Sequence, residues 1–421
     1  MIVKKIADSL VKNNLQVSSL MDLKNYIVRE PLVDAKGQVL GFELSLQPRS
    51  SEAGTVDVNA LIGYVGEQLN DEQSGWQLSG NILFLKVQPA SLSPELAERL
   101  PPQKVVFSVD SSELPTVETM TAVKALHEQG FGISLAVPSL VKLDKTLLPL
   151  FSHSDIRFGA ADVATHTKIN GTLKQIPIRM LARQIRNWEE YDASASLGID
   201  SFIGNLYMTT RPGSESKGLN PAQTMILQLM QLVKKNADVK DLEGILRRDA
   251  ALSYKLLRYI NSVGFGLGTE IQSLKHAVTM LGYSPLYRWL SLLLATASTT
   301  GYAPALMQTA IIRGRLAELL GAGFLPKNES ENLFVCGMFS LLDCMLGIPM
   351  DQVLENIQLS DLVSQALISR EGMYGPFLAL AEACEVNNGN VESLADALFI
   401  DVNRVNESHL AALAWTQNLK L

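Results

Sequence analysis

The sequence predicts a chain in two halves, an α/β barrel followed by an all-helical domain. Three observations predict this. Eight short β-type runs alternate with helical patterns up to about residue 212, a stretch of small and polar residues follows, and no convincing strand is found from residue 220 onwards. A length of 421 residues is enough for two or three domains.

The strands of the first half are near-continuous apolar runs, typical of parallel strands that are covered on both faces. Eight such strands favour a closed, TIM-like barrel over an open sheet. Only residues 34–37 separate the first two strands, too few for a crossover helix, so these two are predicted as an antiparallel hairpin. The predicted strands are 26–33, 38–46, 82–87, 104–109, 132–137, 155–158, 176–182 and 199–204, with helices at 58–69, 116–129, 139–148 and 186–197.

The barrel is therefore assigned to residues 26–212, a linker to 213–219 and the helical domain to 220–421. One of the predicted helices of this domain covers residues 332–346. Residues 1–25 are predicted as an amphipathic helix that packs on the body, because Asp8 and Lys12 interrupt the apolar run that an export signal needs.

Composition excludes several classes of protein. Apolar residues make up 47% and charged residues 19%, so the chain can bury sizeable cores. The net charge of −7 argues against general nucleic-acid binding. Three cysteines cannot form a closed disulfide framework, and the longest apolar runs are about half the ~20 residues of a membrane span. The expectation is a cytoplasmic protein that does not insert into membranes.

Few chemically useful groups follow the predicted strands, although active sites of such barrels lie at the carboxyl ends of the strands. A divalent-metal hydrolase needs several carboxylate, Asn or His ligands there. Glu43 is the one strong candidate and Asp110 is a weaker second. The alternative for Glu43 is a structural carboxylate paired with Lys86 or Arg157. We therefore expect no cofactor and no metal.

Residues 26–212 resemble an EAL domain, the cyclic di-GMP phosphodiesterase fold. The resemblance rests on the order and spacing of GFEL, FLKV, VVFSVD, GISLAV, SDIRF and GIDSFIGNLY. It implies that Glu43 is the glutamate of the EAL signature. It also implies that the phosphate-binding arginine of active members is replaced by Gln47, and a metal-ligand asparagine by Lys86.

Other site positions implied by the resemblance have also changed. Residues that the family uses at its site fall on Ser108, Ala136, Val137, Arg157 (for a catalytic lysine) and the segment 182–186. That segment contains Arg183, and since like charges repel, Lys86 and Arg183 disfavour a bound Mg²⁺. The expectation is a degenerate phosphodiesterase that is not an enzyme.

Residues from about 219 to 398 resemble an HDOD domain, a relative of HD hydrolases. The residues that carry this resemblance are Arg248-Asp249, Leu256-Leu257, Asn261-Ser262, Ile271, Ser273-Leu274, Ala277 and Leu281-Gly282. An HD hydrolase needs adjacent His and Asp residues to bind its metal. In the matching helix the His is replaced by Leu342, and only Asp343 remains. The second half is therefore also expected to lack a metal site.

Four cations of the helical half, Arg247, Arg248, Lys255 and Arg258, lie within about 100° of one another at helical spacing. Asp249 interrupts this basic stripe. Three interpretations stay open, namely a solvated face, a docking surface for an acidic partner and a nucleic-acid surface.

These observations lead to the hypothesis of a non-catalytic bacterial signal-transduction protein that contacts other signalling proteins, with a homodimer left open. The alternative is a catalytically inactive cyclic di-GMP receptor. Its pocket residues are Glu43, Lys86, Arg157, Arg183 and Arg186.

Overall fold

The computed structural model describes residues 23–49, 56–72, 74–89, 92, 94–112, 114–137, 147–157, 171, 178–211, 219–261, 271–297, 303–357, 359–386 and 390–419. Most of the predicted amino-terminal helix and linker lies outside these residues. Within them, a closed barrel is followed by a helical half, as the sequence predicts.

Eight strands close the barrel in chain order. β1 pairs antiparallel with both β2 and β8, whereas every other neighbouring pair is parallel. The predicted first hairpin is thereby confirmed. The strands are β1 Tyr26–Asp34, β2 Val39–Gln47, β3 Ile82–Lys86, β4 Val105–Asp110, β5 Gly132–Val137, β6 His153–Arg157, β7 Arg179–Arg183 and β8 Ser201–Ile203.

The helices of the barrel half are α1 Val58–Asn70, α2 Pro94–Ala97, α3 Val117–Glu128 and α4 Trp188–Ser196, with 3₁₀ turns at Pro102–Lys104, Leu148–Leu150 and Leu206–Met208. Side chains of Asp57, Thr116 and Asn187 cap α1, α3 and α4 at their amino ends. The helix predicted at 139–148 falls mostly outside the described residues.

Side chains that point into the barrel form an apolar layer below a polar one. The apolar layer is a buried cluster of Leu32, Phe84, Val106, Leu181 and Ile203. Successive side chains of a strand point to opposite faces, so the residue two positions nearer the mouth also points into the barrel interior. On β1, β3, β4 and β7 that residue is polar or charged: Glu30, Lys86, Ser108 and Arg183. An apolar layer thus fills the barrel interior, and a polar layer lies above it at the mouth.

Helices alone make up the second half within the described residues, and no described helix is long and apolar enough to cross a membrane. They are α5 Pro221–Lys234, α6 Val239–Leu246, α7 Ala250–Ile260, α8 Leu274–Leu281, α9 Tyr283–Thr296, α10 Ala303–Gly321, α11 Lys327–Phe339, α12 Leu342–Leu346, α13 Met350–Asn356, α14 Asp361–Ser369, α15 Gly375–Ala383, α16 Val391–Ala397 and α17 Val402–Gln417.

The single helix predicted at 332–346 is wrong, because the structure has two helices there, α11 and α12. Ser340 ends α11. Its hydroxyl donates to the Gly337 carbonyl at 2.7 Å and accepts from Arg313 of α10 at 2.7 Å. A long-range contact therefore stabilises the end of the helix.

The helical half covers the first part of β1, because β8 pairs only with Leu32–Asp34 at the end of that strand. The amide of Ile27 donates to the Asn406 side chain at 2.8 Å, and that side chain donates to the Asn25 carbonyl at 2.9 Å. The Arg29 amide donates to the Cys384 carbonyl at 2.9 Å. Backbone groups that would otherwise lie buried and unpaired are thus satisfied by the second half of the chain.

A buried charge network continues this contact. Arg29, which is 1% exposed, lies 3.7 Å from the Glu385 carboxylate and 5.3 Å from the centre of the Phe42 ring. Arg313 donates to Glu385 at 2.6 Å and to Glu382 at 3.1 Å. Removing one member of such a network leaves a buried charge without its partner, which is strongly destabilising. The two halves therefore share one charged core.

Candidate functional site

A cavity of about 470 Å³ opens at the carboxyl ends of the parallel strands, where the polar mouth of the barrel lies. Its charged and polar lining residues are Glu30, Glu43, Ser45, Lys86, Ser108, Asp110, Asp155, Arg183, Gln184, Arg186, Asn205 and Thr209. The volume lies within the range of about 300–1,000 Å³ that is usual for small-molecule sites. We call this cavity the mouth site.

Arg183 is the central cation of the mouth site. Its Nε donates to Asp155 Oδ2 at 2.5 Å, and its Nη1 donates to Glu43 Oε1. Burial alone lowers the pKa of the guanidinium, but the carboxylates of Glu43 and Asp155 reverse this effect and raise the pKa above its ordinary value. Nη2 is buried and has no hydrogen-bond partner among the described residues. Arg183 therefore keeps one donor unused.

Glu30 lies directly opposite Glu43 on the paired strands β1 and β2. Burial and, to a smaller extent, the charge of Glu43 raise the pKa of the Glu30 carboxyl to about 7, although Arg183 offsets part of the increase. Like charges directly opposite each other on neighbouring strands repel. The mouth site thus holds a carboxyl group that exchanges its proton near neutral pH.

Two further cations lie at the rim of the mouth site. Lys86 ends β3, is exposed and forms no ion pair with any residue that the structure describes. Arg186 is 70% exposed and pairs with Glu190 at 3.0 Å. Ser108, opposite Lys86 on β4, has a buried hydroxyl without a described partner. These groups offer donors to an anionic ligand.

Of the residues predicted for this pocket, Glu43, Lys86, Arg183 and Arg186 are brought together. Arg157 ends β6, but its side chain lies outside the described part of the chain. Of the two partners predicted for Glu43, Lys86 and Arg157, Lys86 is wrong, because Glu43 pairs with Arg183. Burial favours that pair, since the Glu43 and Arg183 side chains are only 5% and 11% exposed.

Sequence reasoning missed Glu30 and Asp155. The short first hairpin carries a usable signal for Glu30, because its register places this residue across from Glu43. Asp155 carries a weaker signal, a single carboxylate inside an apolar strand. Such a group is buried only when paired, and Arg183 is the partner.

The described residues of the mouth do not fit the divalent cation that an EAL resemblance implies. Glu43 and Asp155 would be the natural oxygen ligands, but each already accepts from Arg183. The ammonium group of Lys86 lies at the same mouth. A further divalent cation would be repelled by both side chains. No described group of three or more His, Cys, Asp and Glu residues is arranged to hold a metal.

The helical half supplies part of the wall of the mouth site. Val386, just beyond α15, lines the cavity together with Asn205. The Asn205 amide donates to the Glu385 carbonyl at 2.6 Å. The site therefore borders directly on the charged core that joins the two halves.

A second cavity, of about 450 Å³, lies within the helical half beside Tyr283, Tyr287 and Arg288. Arg288 already donates to Glu318 at 2.6 and 2.9 Å and lies 3.8 Å from the centre of the Phe334 ring. Because both terminal nitrogens of this arginine are engaged, the mouth site is the better candidate for an anionic ligand.

The other predicted positions of the helical half do not meet at a site. Asp343 lies in the first turn of the short helix α12. The four stripe cations do not share a helix, because Arg247 caps α6, whereas Lys255 and Arg258 lie on α7. Asp249 causes the break, since its carboxylate accepts from the Leu252 amide at 2.9 Å. The prediction that these four cations form one stripe on a single helix is therefore wrong. Docking of an acidic partner stays a prediction.

Residues 219–347 match the HDOD domain family. Over 94% of its length, the chain is 26% identical to a Vibrio cholerae protein named cyclic di-GMP phosphodiesterase CdgJ, of which 93% is covered. It is 24% identical to the uncharacterized protein YuxH of Bacillus subtilis, with 94% of this chain and 99% of that protein covered.

Solved structures similar to part of the chain include the Klebsiella pneumoniae BlrP1 complex with calcium and cyclic di-GMP. It has a TM-score of 0.37 and 19% identity, over 44% of this chain and 55% of that one. Another is a standalone EAL protein of Vibrio cholerae bound to cyclic di-GMP. It has a TM-score of 0.35 and 15% identity, over 44% of this chain and 91% of that one.

The phosphodiesterase name of the Vibrio cholerae relative contradicts the expectation that this chain is not an enzyme, and that expectation is wrong. The family match confirms the HDOD resemblance over residues 219–347, and its predicted extension to about residue 398 stays a prediction. Residues 219–347 of the helical half thus match the HDOD domain family, and they follow an amino-terminal closed barrel.

Proposed function

We propose that the mouth site binds cyclic di-GMP and that the chain works in cyclic di-GMP signalling. The observation that carries this proposal is the meeting of Lys86, Arg183 and Arg186 at one cavity of about 470 Å³. Cyclic di-GMP presents two phosphodiester anions, and arginine and lysine are the side chains that recognise such groups.

The supply of unused donors supports the same ligand. Lys86 has no ion pair among the described residues, and Arg183 Nη2 and the Ser108 hydroxyl are buried without described partners. A buried donor that lacks a partner costs about 1–3 kcal/mol of stability. A ligand whose phosphate oxygen accepts from that donor removes this cost and therefore binds more tightly. The name of the Vibrio cholerae relative points to cyclic di-GMP among the phosphodiesters.

A calorimetric titration of cyclic di-GMP into the full chain tests the proposal. We expect binding in the micromolar range for the wild type. Lys86→Ala and Arg186→Ala should each weaken it about tenfold, the effect of losing one charged hydrogen bond. The matched control is Lys104→Ala, because Lys104 precedes β4 at the opposite end of the barrel and donates to the Ser79 carbonyl at 2.6 Å.

Chromatography of the nucleotide recovered from the same samples reports hydrolysis, the activity named for the relative. A linear dinucleotide that forms in the wild type but not in Lys86→Ala would place that chemistry at the mouth site. A wild type that neither binds nor cleaves cyclic di-GMP contradicts the proposal. An equal loss of affinity in Lys104→Ala would contradict the assignment to the mouth.

A further inference from the structure

We infer that Arg183 is a built-in cation that takes the place of a divalent metal ion at the mouth site, so that a phosphate ligand meets the guanidinium directly and binds without a metal. The identity of the ligand rests on the proposed function. The metal part of the inference rests on the geometry of Arg183 alone.

The first reason is where Arg183 lies. Its guanidinium bridges two carboxylates from different strands, Glu43 of β2 and Asp155 of β6. Holding together acidic side chains from different strands is what a bound divalent ion does at a barrel mouth. The side chain that performs this role belongs to β7 of the same barrel.

The second reason is the balance of charge. The two buried carboxylates of the mouth, Glu43 and Asp155, both pair with the Arg183 guanidinium. The oxygen ligands that a divalent ion would use are thus already matched by a fixed cation. A further divalent ion would have to displace Arg183 from both partners and leave a buried guanidinium unpaired, which is strongly unfavourable.

The third reason is the unused donor. Nη2 of Arg183 is buried, lies on a residue that lines the cavity and has no partner among the described residues. A guanidinium that has only two of its three nitrogens engaged keeps a charged donor for a phosphate oxygen. Arg183 can therefore perform both roles of a metal ion, holding the carboxylates and meeting the phosphate.

Titration of Mn²⁺ into the full chain, followed by electron paramagnetic resonance of the free ion, tests the metal part. The wild type should show no saturable site at the mouth. Arg183→Met, which frees Glu43 and Asp155, should gain a saturable Mn²⁺ site that the wild type lacks. The gain should disappear in Arg183→Met combined with Glu43→Gln. Arg186→Met, at the same mouth but exposed, is the matched control and should behave as the wild type.

Two results would overturn the inference. One is a saturable Mn²⁺ site in the wild type that is lost in Glu43→Gln. The other is an Arg183→Met variant that melts cooperatively yet gains no Mn²⁺ site. If Arg183→Met does not fold, the wild-type titration still decides, and Arg183→Lys, which keeps the positive charge, should fold and stay free of Mn²⁺.

The ligand part is tested by comparing the wild-type affinity for cyclic di-GMP in EDTA and in Mg²⁺. We expect the two dissociation constants to agree within about twofold, because Arg183 supplies the positive charge. Binding that needs Mg²⁺ would overturn the inference. Absence of binding in both buffers would contradict the proposed function, while the Mn²⁺ titration would still decide the metal part.

Discussion

Replacing Glu30 with glutamine should stabilise the protein, and more so at high pH. The folded protein raises the pKa of this carboxyl from 4.5 to about 7 through burial and the charge of Glu43. A raised acid pKa gives stability that is fully present below pH 4.5 and is lost as the pH rises through 7. A shift of this size corresponds to about 3 kcal/mol. The glutamine of the Glu30→Gln variant cannot ionise, so the variant does not lose this stability as the pH rises.

The measurement is urea unfolding of the wild type and Glu30→Gln at pH 5 and pH 8. At pH 8 the variant should be more stable by up to about 3 kcal/mol, and at pH 5 by less than about 1 kcal/mol. Glu43→Gln is the control, because it removes a partner of Arg183 and should destabilise the protein at both pH values. The reasoning is refuted if Glu30→Gln changes stability equally at pH 5 and pH 8, or lowers it at pH 8.

Two other substitutions test the packing that positions the mouth. In Gly41→Ala the new Cβ would lie 1.9 Å from the Ile82 carbonyl oxygen, so β2 and β3 must separate at that point. Thermal melts should show a loss of stability of about 1–3 kcal/mol, and an unchanged melting temperature would contradict the pairing of Gly41 with Ile82. Asn406→Ala leaves the Ile27 amide and the Asn25 carbonyl without their side-chain partner. It should cost about 1–3 kcal/mol for each orphaned group, and limited proteolysis should cut faster between the two halves. Unaltered proteolysis would show that this contact does not hold the halves together.

Much of the fold could be predicted because it depends on short-range patterns. The apolar runs of the strands and the four-residue connection at 34–37 were enough to predict eight strands with an antiparallel first pair. The helix at 332–346 failed because its interruption at Ser340 involves Arg313, 27 residues away in the chain. The contact between the halves was not predictable either, since Ile27 and Asn406 are 379 residues apart.

The candidate site was predicted in part. The strand-end positions that the EAL resemblance indicated brought Glu43, Lys86 and Arg183 to one cavity. The pairing inside the cavity depends on the register of a closed barrel, and Glu43 and Arg183 are separated by 140 residues. For this reason the sequence predicted Arg183 as a pocket residue but not its pairing with Glu43 and Asp155, around which the site is built.

Hydrogen–deuterium exchange of the full chain with and without cyclic di-GMP tests the central claim most directly. The account predicts slower exchange at the carboxyl ends of the strands, above all in residues 183–186 and 203–209, which line the mouth or adjoin it. It predicts little change in α5 to α9, none of whose described residues lines that cavity. Protection confined to the helical half, or no protection at all, would contradict the claim that the barrel mouth is the cyclic di-GMP site.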